Sequence, residues 1–263
     1  LLNNEEEAQR IQKEMDAFKS AFNSVFWDGK GYRTAEYEGE YDDRAQSLAV
    51  VSGLADESKF NELLNIFKNS YLASPYMEKY VLEALFVMGE PEFGLKRMKD
   101  RYYGMIELSP YTTLYENFGP RNLSDTSKFV GHGTNNHAWS GGGLTILSQY
   151  VCGLEPVEPA WKTFRVKPQL GSLDYAETGN ETVAGKVSVK IEKDQSGMNM
   201  EVTVPDKSEA IVCIPRQYRK VAINTTTVWD KGYVDNEMAS SEGKEEGYNR
   251  FRLDGGTYQI KSE

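Results

Sequence analysis

Apolar residues recur every three or four positions through the first 150 residues, the spacing of one buried face on an α-helix. Ala8, Ile11, Met15, Phe18, Phe22 and Val25 make a first stripe and predict a helix over 4–26. Trp27-Asp-Gly-Lys-Gly-Tyr32 breaks it. Asp42-Asp43 supplies capping side chains for a second helix, about 43–52. Asp56 starts a third over about 57–70, with Phe60, Leu63, Leu64 and Phe67 on one face. Ser74-Pro75 places a cap before a proline in the first turn of a fourth, striped by Met77, Tyr80, Val81, Ala84, Leu85 and Met88. Gly89-Glu-Pro91 ends it and opens a fifth over about 91–103. Asn135 or Asn136 caps a sixth over about 136–152, which contains Gly141 to Gly143. Three consecutive glycines weaken a helix, so they are expected where backbones pack closely.

After Gly153-Leu-Glu-Pro-Val-Glu-Pro159 the period changes to two. Val187, Val189 and Ile191 alternate with polar residues, as do Met198, Met200, Val202 and Val204, then Ala210, Val212 and Ile214. Turn residues punctuate the pattern every 8–12 positions, which predicts an antiparallel β-sandwich. The chain therefore reads as multidomain α and β, with a helical domain over 1–157 and a β-sandwich over 158–263.

Composition narrows the partners. The 263 residues carry a formal net charge of −10, which argues against nucleic acid and against anionic membranes. No run of about 18 apolar residues exists to span a bilayer. Cys152 and Cys213 are far apart and read as buried thiols, and two histidines make no ligand cluster, so no metal site is visible and no cofactor is expected, with metal use left open. The chain opens at Leu1-Leu2-Asn3 and runs straight into a helix, as a piece of something longer would.

Candidate chemistry sits between the regular segments, where binding residues concentrate. Ser109 to Pro120 carries Glu116 flanked by Tyr115, Asn117 and Phe118, and Gly133 to Gly143 carries Asn136, His137 and Trp139. A carboxylate, an imidazole and aromatic rings together suit a sugar: rings stack on C–H faces and a carboxylate activates water. Thr113-x-x-Glu116 also fits a capping box, which would make Glu116 a helix-start residue, although Gly119-Pro120 would cut such a helix short. The acidic, aromatic stretch 33–43 reads as a solvated loop or as the rim of a pocket.

Four segments then carry a resemblance. Thr112-Thr-Leu-Tyr-Glu116, Asn136-His-Ala-Trp-Ser140, Tyr150-Val-Cys-Gly-Leu-Glu-Pro156 and Trp161-Lys-Thr-Phe-Arg-Val-Lys-Pro-Gln-Leu170 resemble the C-terminal part of bacterial α-L-rhamnosidases of glycoside hydrolase family 78. The resemblance covers about residues 30–215. It implies the C-terminal half of an (α/α)6 barrel, about six helices, followed by the sandwich. It implies that Glu116 is the general base of an inverting enzyme and that His137, Tyr115, Trp139 and Asn136 contact a rhamnose-containing carbohydrate. Tyr115 departs from the family's usual tryptophan before the base. A secreted or periplasmic location also follows.

A second departure concerns completeness. The barrel needs twelve helices, and the family's general acid lies in an earlier segment that has no match here. Inversion needs two carboxyls roughly 6.5–9.5 Å apart. The fragment alone is therefore expected to be inactive, with the N-terminal half of the barrel as its missing partner. Two other readings stay open: a non-catalytic carbohydrate-binding or structural fragment, and a different (α/α)6 glycosidase such as an unsaturated glucuronyl hydrolase or a trehalase-like enzyme.

Overall fold

The computed structural model describes residues 4–109, 111–118, 133–245 and 247–263. They form six α-helices followed by a two-sheet β-sandwich. The chain divides into two compact units at Gly142/Gly143.

In the first unit, α1 spans Glu5–Phe26; Asn4 Oδ1 accepts the Glu7 N–H at 3.1 Å, and three glutamates fill the first turn. Phe22 and Phe26 lean on the helical core. The rest of the predicted stripe does not: Ile11, Met15, Phe18 and Val25 are 44%, 57%, 61% and 64% exposed. The other helices are α2 (Asp43–Val51), α3 (Phe60–Asn69), α4 (Pro75–Val87) and α5 (Pro91–Ile106). Asp42 and Ser74 cap α2 and α4 as their side chains allow. Val50, Leu63, Phe67, Val81 and Leu85 meet in the core that these helices enclose.

Two polar devices fix this core. The Gln46 amide accepts the Tyr32 N–H at 2.7 Å and donates to the Tyr32 carbonyl at 2.9 Å, pinning the strand-like segment after α1 to α2. Arg97 of α5 is fully buried, and its guanidinium bonds Glu78 Oε1 at 2.6 Å and Asp43 Oδ2 at 2.7 Å. It also donates to the carbonyls of Phe67 and Ser70 at 2.6 and 3.0 Å. One side chain thereby ties α2, α3, α4 and α5, with every charge partnered. Asp43 is thus a structural anchor.

The sixth helical stretch departs from expectation. Residues Ala138–Gly141 form a tight 3₁₀ turn, Gly142–Ile146 form α6, and Leu147–Val151 widen into a π turn. Neither asparagine caps it: His137 holds the cap position and makes no side-chain capping bond. Close packing explains Gly142 but not Gly141. A Cβ on Gly142 would lie 2.5 Å from Lys79 Cβ on α4, whereas one on Gly141 would meet open space. The unit boundary falls inside this stretch, because its second half turns to the sandwich: Ser148 Oγ meets Thr178 Oγ1 at 3.1 Å.

The second unit begins with β1 (Leu154–Pro156) and β2 (Thr163–Val166). It continues with β3 (Tyr175–Thr182), β4 (Gly185–Asp194), β5 (Gly197–Val204) and β6 (Glu209–Pro215). Then come β7 (Lys220–Ile223), β8 (Thr226–Asp230), β9 (Ser240–Glu245), β10 (Tyr248–Leu253) and β11 (Gly256–Ser262). One sheet runs β1-β2-β6-β10-β9 and the other β3-β4-β5-β11-β7-β8. All pairs are antiparallel except β2 with β6. Val187, Val189, Ile191, Met200 and Val202 are buried, as the period-two pattern requires. Both cysteines are free and buried. Among the described residues, no helix is long and apolar enough to cross a membrane.

Candidate functional site

The two polar segments singled out in the sequence meet in the first unit. The Glu116 N–H donates to the Thr134 carbonyl and the His137 N–H to the Leu114 carbonyl, both at 2.9 Å. The buried Ser140 hydroxyl donates to the Tyr115 carbonyl at 2.5 Å, and the Thr113 hydroxyl to the Asn135 carbonyl. These crossing bonds satisfy backbone groups that a loop would otherwise leave to water. Residues 111–118 contain no helix, so Thr113 and Glu116 form no capping box. Gly119-Pro120, the expected helix breaker, lies outside the described residues.

Glu116 lies over Gly133. A Cβ there would sit 2.6 Å from Glu116 Oε2, and the backbone has φ +89°, so the position suits glycine on both counts. Oε2 accepts the Thr134 N–H at 3.0 Å and faces the Thr134 hydroxyl at 3.3 Å. That hydroxyl lies 2.5 Å from His137 Nδ1, which is itself 3.9 Å from Oε2. The hydroxyl has one proton. If it donates to Glu116, it accepts from Nδ1–H, and Thr134 then relays a chain from imidazole to carboxylate. The Thr134 backbone N–H, joined by its hydroxyl and by His137, holds the Glu116 carboxyl below its ordinary value against the opposing effect of desolvation. The result is an ionised carboxylate, partly open to solvent, with a fixed orientation. Such a group can take a proton from water.

The aromatic residues divide between platform and support. Trp139 is 44% exposed, with ring centroids 4.3 Å from His137 and 5.2 Å from Tyr76 of α4. Tyr76 in turn meets Tyr80 at 5.9 Å. This aromatic row reaches the carboxylate through His137, and Lys79 Nζ lies 4.7 Å over the Tyr80 ring. Asn136 is exposed nearby. Tyr115 differs from the rim contact read in the sequence: only 2% exposed, it turns inward and bonds the Ser109 hydroxyl through its own. Phe118 is likewise structural, edge-on to Tyr102 at 5.1 Å and under the Arg101 guanidinium at 4.0 Å.

Sequence reasoning passed over Thr134, Gly133 and Tyr76. Gly133-Thr134 stands three residues before His137, but only the fold shows that it faces Glu116. Tyr76 was hidden by its place in the first turn of an ordinary amphipathic helix.

Residues 153–228 match the family model described as bacterial alpha-L-rhamnosidase C-terminal domain. No curated protein sequence matches the chain. Among solved structures, the α-L-rhamnosidase of Dictyoglumus thermophilum is similar over 100% of this chain and 30% of its own, with TM-score 0.78 and 22% identity. The Streptomyces avermitilis α-L-rhamnosidase, solved with L-rhamnose, is similar over 97% of this chain and 24% of its own, with TM-score 0.71 and 15% identity. The Aspergillus terreus α-L-rhamnosidase follows at 98% and 28%, with TM-score 0.70 and 19% identity. At such identities these are likenesses of fold. The chain thus resembles the C-terminal part of α-L-rhamnosidases and spans under a third of the length of these three.

Proposed function

We propose that this chain is the C-terminal portion of an inverting glycoside hydrolase that releases terminal α-L-rhamnose, with Glu116 as its general base. The observation that carries the proposal is the Glu116 carboxylate, ionised and aimed by Thr134 beside His137 and an exposed aromatic row. His137, Trp139 and Asn136 line the sugar side, with Tyr115 as backing. The general acid belongs to a missing N-terminal half of an (α/α)6 barrel, so the fragment alone is inactive. The exposed stripe of α1 is the face that those helices would cover. A secreted or periplasmic enzyme fits this reading, since its glycan substrates lie outside the cell.

The decisive experiment is Glu116→Gln in a parent protein that contains this chain, assayed on an aryl α-L-rhamnoside. The amide keeps shape and hydrogen bonding but cannot take the proton. We expect kcat to fall about 10²–10⁴-fold, with KM within a few-fold. Near wild-type kcat would refute the role of Glu116. A product of retained anomeric configuration would refute inversion, because Glu116 would then have to act as nucleophile.

A further inference from the structure

The chain is acidic overall, yet one cavity in the sandwich unit is lined by cations. Arg216, Arg219, Lys231 and Lys244 surround a space of about 320 Å³ together with Trp229 and Asn249. The volume is at the lower end of the range for small-molecule sites. These residues come from both sheets: Arg216 and Arg219 lie on the β6–β7 connection, Trp229 on β8, Lys231 just beyond it, Lys244 on β9 and Asn249 on β10.

The cavity is built. The Arg216 guanidinium donates to the Glu245 carbonyl at 2.9 Å and the Tyr248 carbonyl at 3.3 Å, so it is anchored to the β9–β10 hairpin. The Lys231 N–H donates to the Arg219 carbonyl at 3.0 Å, which holds those two residues side by side. Lys244 Nζ lies 5.6 Å from the Trp229 ring. Among the described residues, none of the four cations pairs with a carboxylate within 4.0 Å. Among the described residues, Glu245 is engaged with Lys167 and Glu263 with Lys261. Four like charges around one cavity repel, and an anion relieves that repulsion.

Two further features restrict the anion. Asn249 is buried at the cavity, and its Oδ1 has no hydrogen-bond partner among the described residues, an acceptor that wants a hydroxyl or amide donor. Trp229 is partly exposed and lines the cavity with its indole, beside Lys244. Bare sulfate or phosphate meets only the charge requirement. A sugar ring bearing a carboxylate or a sulfate ester meets all three: anion to the cations, hydroxyl to Asn249, C–H face to the indole.

We propose that this cavity is a binding site for an anionic saccharide unit, separate from Glu116 and on the other compact unit. The saccharide part of the assignment rests on the glycosidase reading; the anionic part rests on the charges. The site would hold an acidic polysaccharide by its backbone while terminal sugars are removed elsewhere.

The test is titration of the 263-residue chain with oligogalacturonate, with a sulfated oligosaccharide of similar length, with a neutral oligosaccharide and with inorganic sulfate. Isothermal calorimetry at low and at physiological ionic strength reads the binding. We expect one or both acidic oligosaccharides to bind and to weaken with salt, while the neutral sugar and inorganic sulfate bind at least tenfold more weakly. Which acidic arm binds identifies the group as carboxylate or sulfate ester. Arg219→Glu with Lys231→Glu, both exposed, should abolish binding with an unchanged melting temperature; Trp229→Phe should weaken binding and keep the fold. Equal affinity for the neutral sugar, equal affinity for inorganic sulfate, no binding by either acidic oligosaccharide, or binding unchanged in the double variant would each overturn the proposal. Glu116→Gln must leave the titration unaltered, so failure here is distinct from failure of the rhamnosidase reading.

Discussion

Thr134 holds the carboxylate twice, through its N–H and through its hydroxyl, and touches His137 with the same oxygen. Thr134→Val keeps the shape and the N–H but removes the relay. The carboxyl pKa, now depressed, should rise, so the acid limb of the kcat/KM profile of the parent enzyme should move to higher pH. Thr134→Ser should restore it; an unmoved limb would show that the backbone N–H suffices. The stability sign is the same as for any depressed carboxyl: its contribution is present above the unfolded pKa and is lost as pH falls through the folded one. Gly133→Ala should displace the carboxylate and lower kcat, because the methyl would sit 2.6 Å from Oε2, inside van der Waals contact. The thiols behave oppositely. Burial pushes Cys152 up to about 11 and Cys213 up to about 12, so a thiol reagent near pH 8 should label neither until the chain is unfolded.

Among the elements, α5 has the most to lose from one change. Arg97→Met would leave Asp43 a buried carboxylate without a cation, leave Glu78 with Arg101 alone at 3.4 Å, and strand the carbonyls of Phe67 and Ser70. Breaking such a network typically costs about 3–5 kcal/mol. Urea denaturation should show that loss in the helical unit, and a loss below about 1 kcal/mol would mean that water replaces the guanidinium. The periodicity predicts α1 to α5 within a few residues, because caps and prolines act locally. The same reasoning fails for the sixth stretch. Its glycines and its turn toward the sandwich split it into 3₁₀, α and π segments, and Gly142 is constrained by Lys79 of α4, sixty-three residues away.

For the whole molecule, the exposed stripe of α1 is the feature that asks for a covering partner. Isolated, the chain should self-associate, and light scattering should show this at micromolar concentration. Ile11→Glu with Phe18→Glu should suppress the association. Ile11 is 44% and Phe18 61% exposed, so the melting temperature should change little. An isolated wild-type chain that stays monomeric would count against a missing barrel half.

What the sequence determines by itself is whatever depends on neighbours a few positions away. Helix periodicity, the caps at Asp42 and Ser74, the switch to period two after Pro159, and the two polar segments around Glu116 and His137 were all legible there, because hydrogen-bond spacing and side-chain alternation are local. The tertiary structure decided what depends on distant residues. It turned Tyr115 inward, placed Thr134 between Glu116 and His137, buried Arg97 against two acids far from it in sequence, and gathered four cations into one cavity of an acidic chain. A side chain's partner across a core or a loop crossing is set by packing, and packing is the one property that no local pattern encodes.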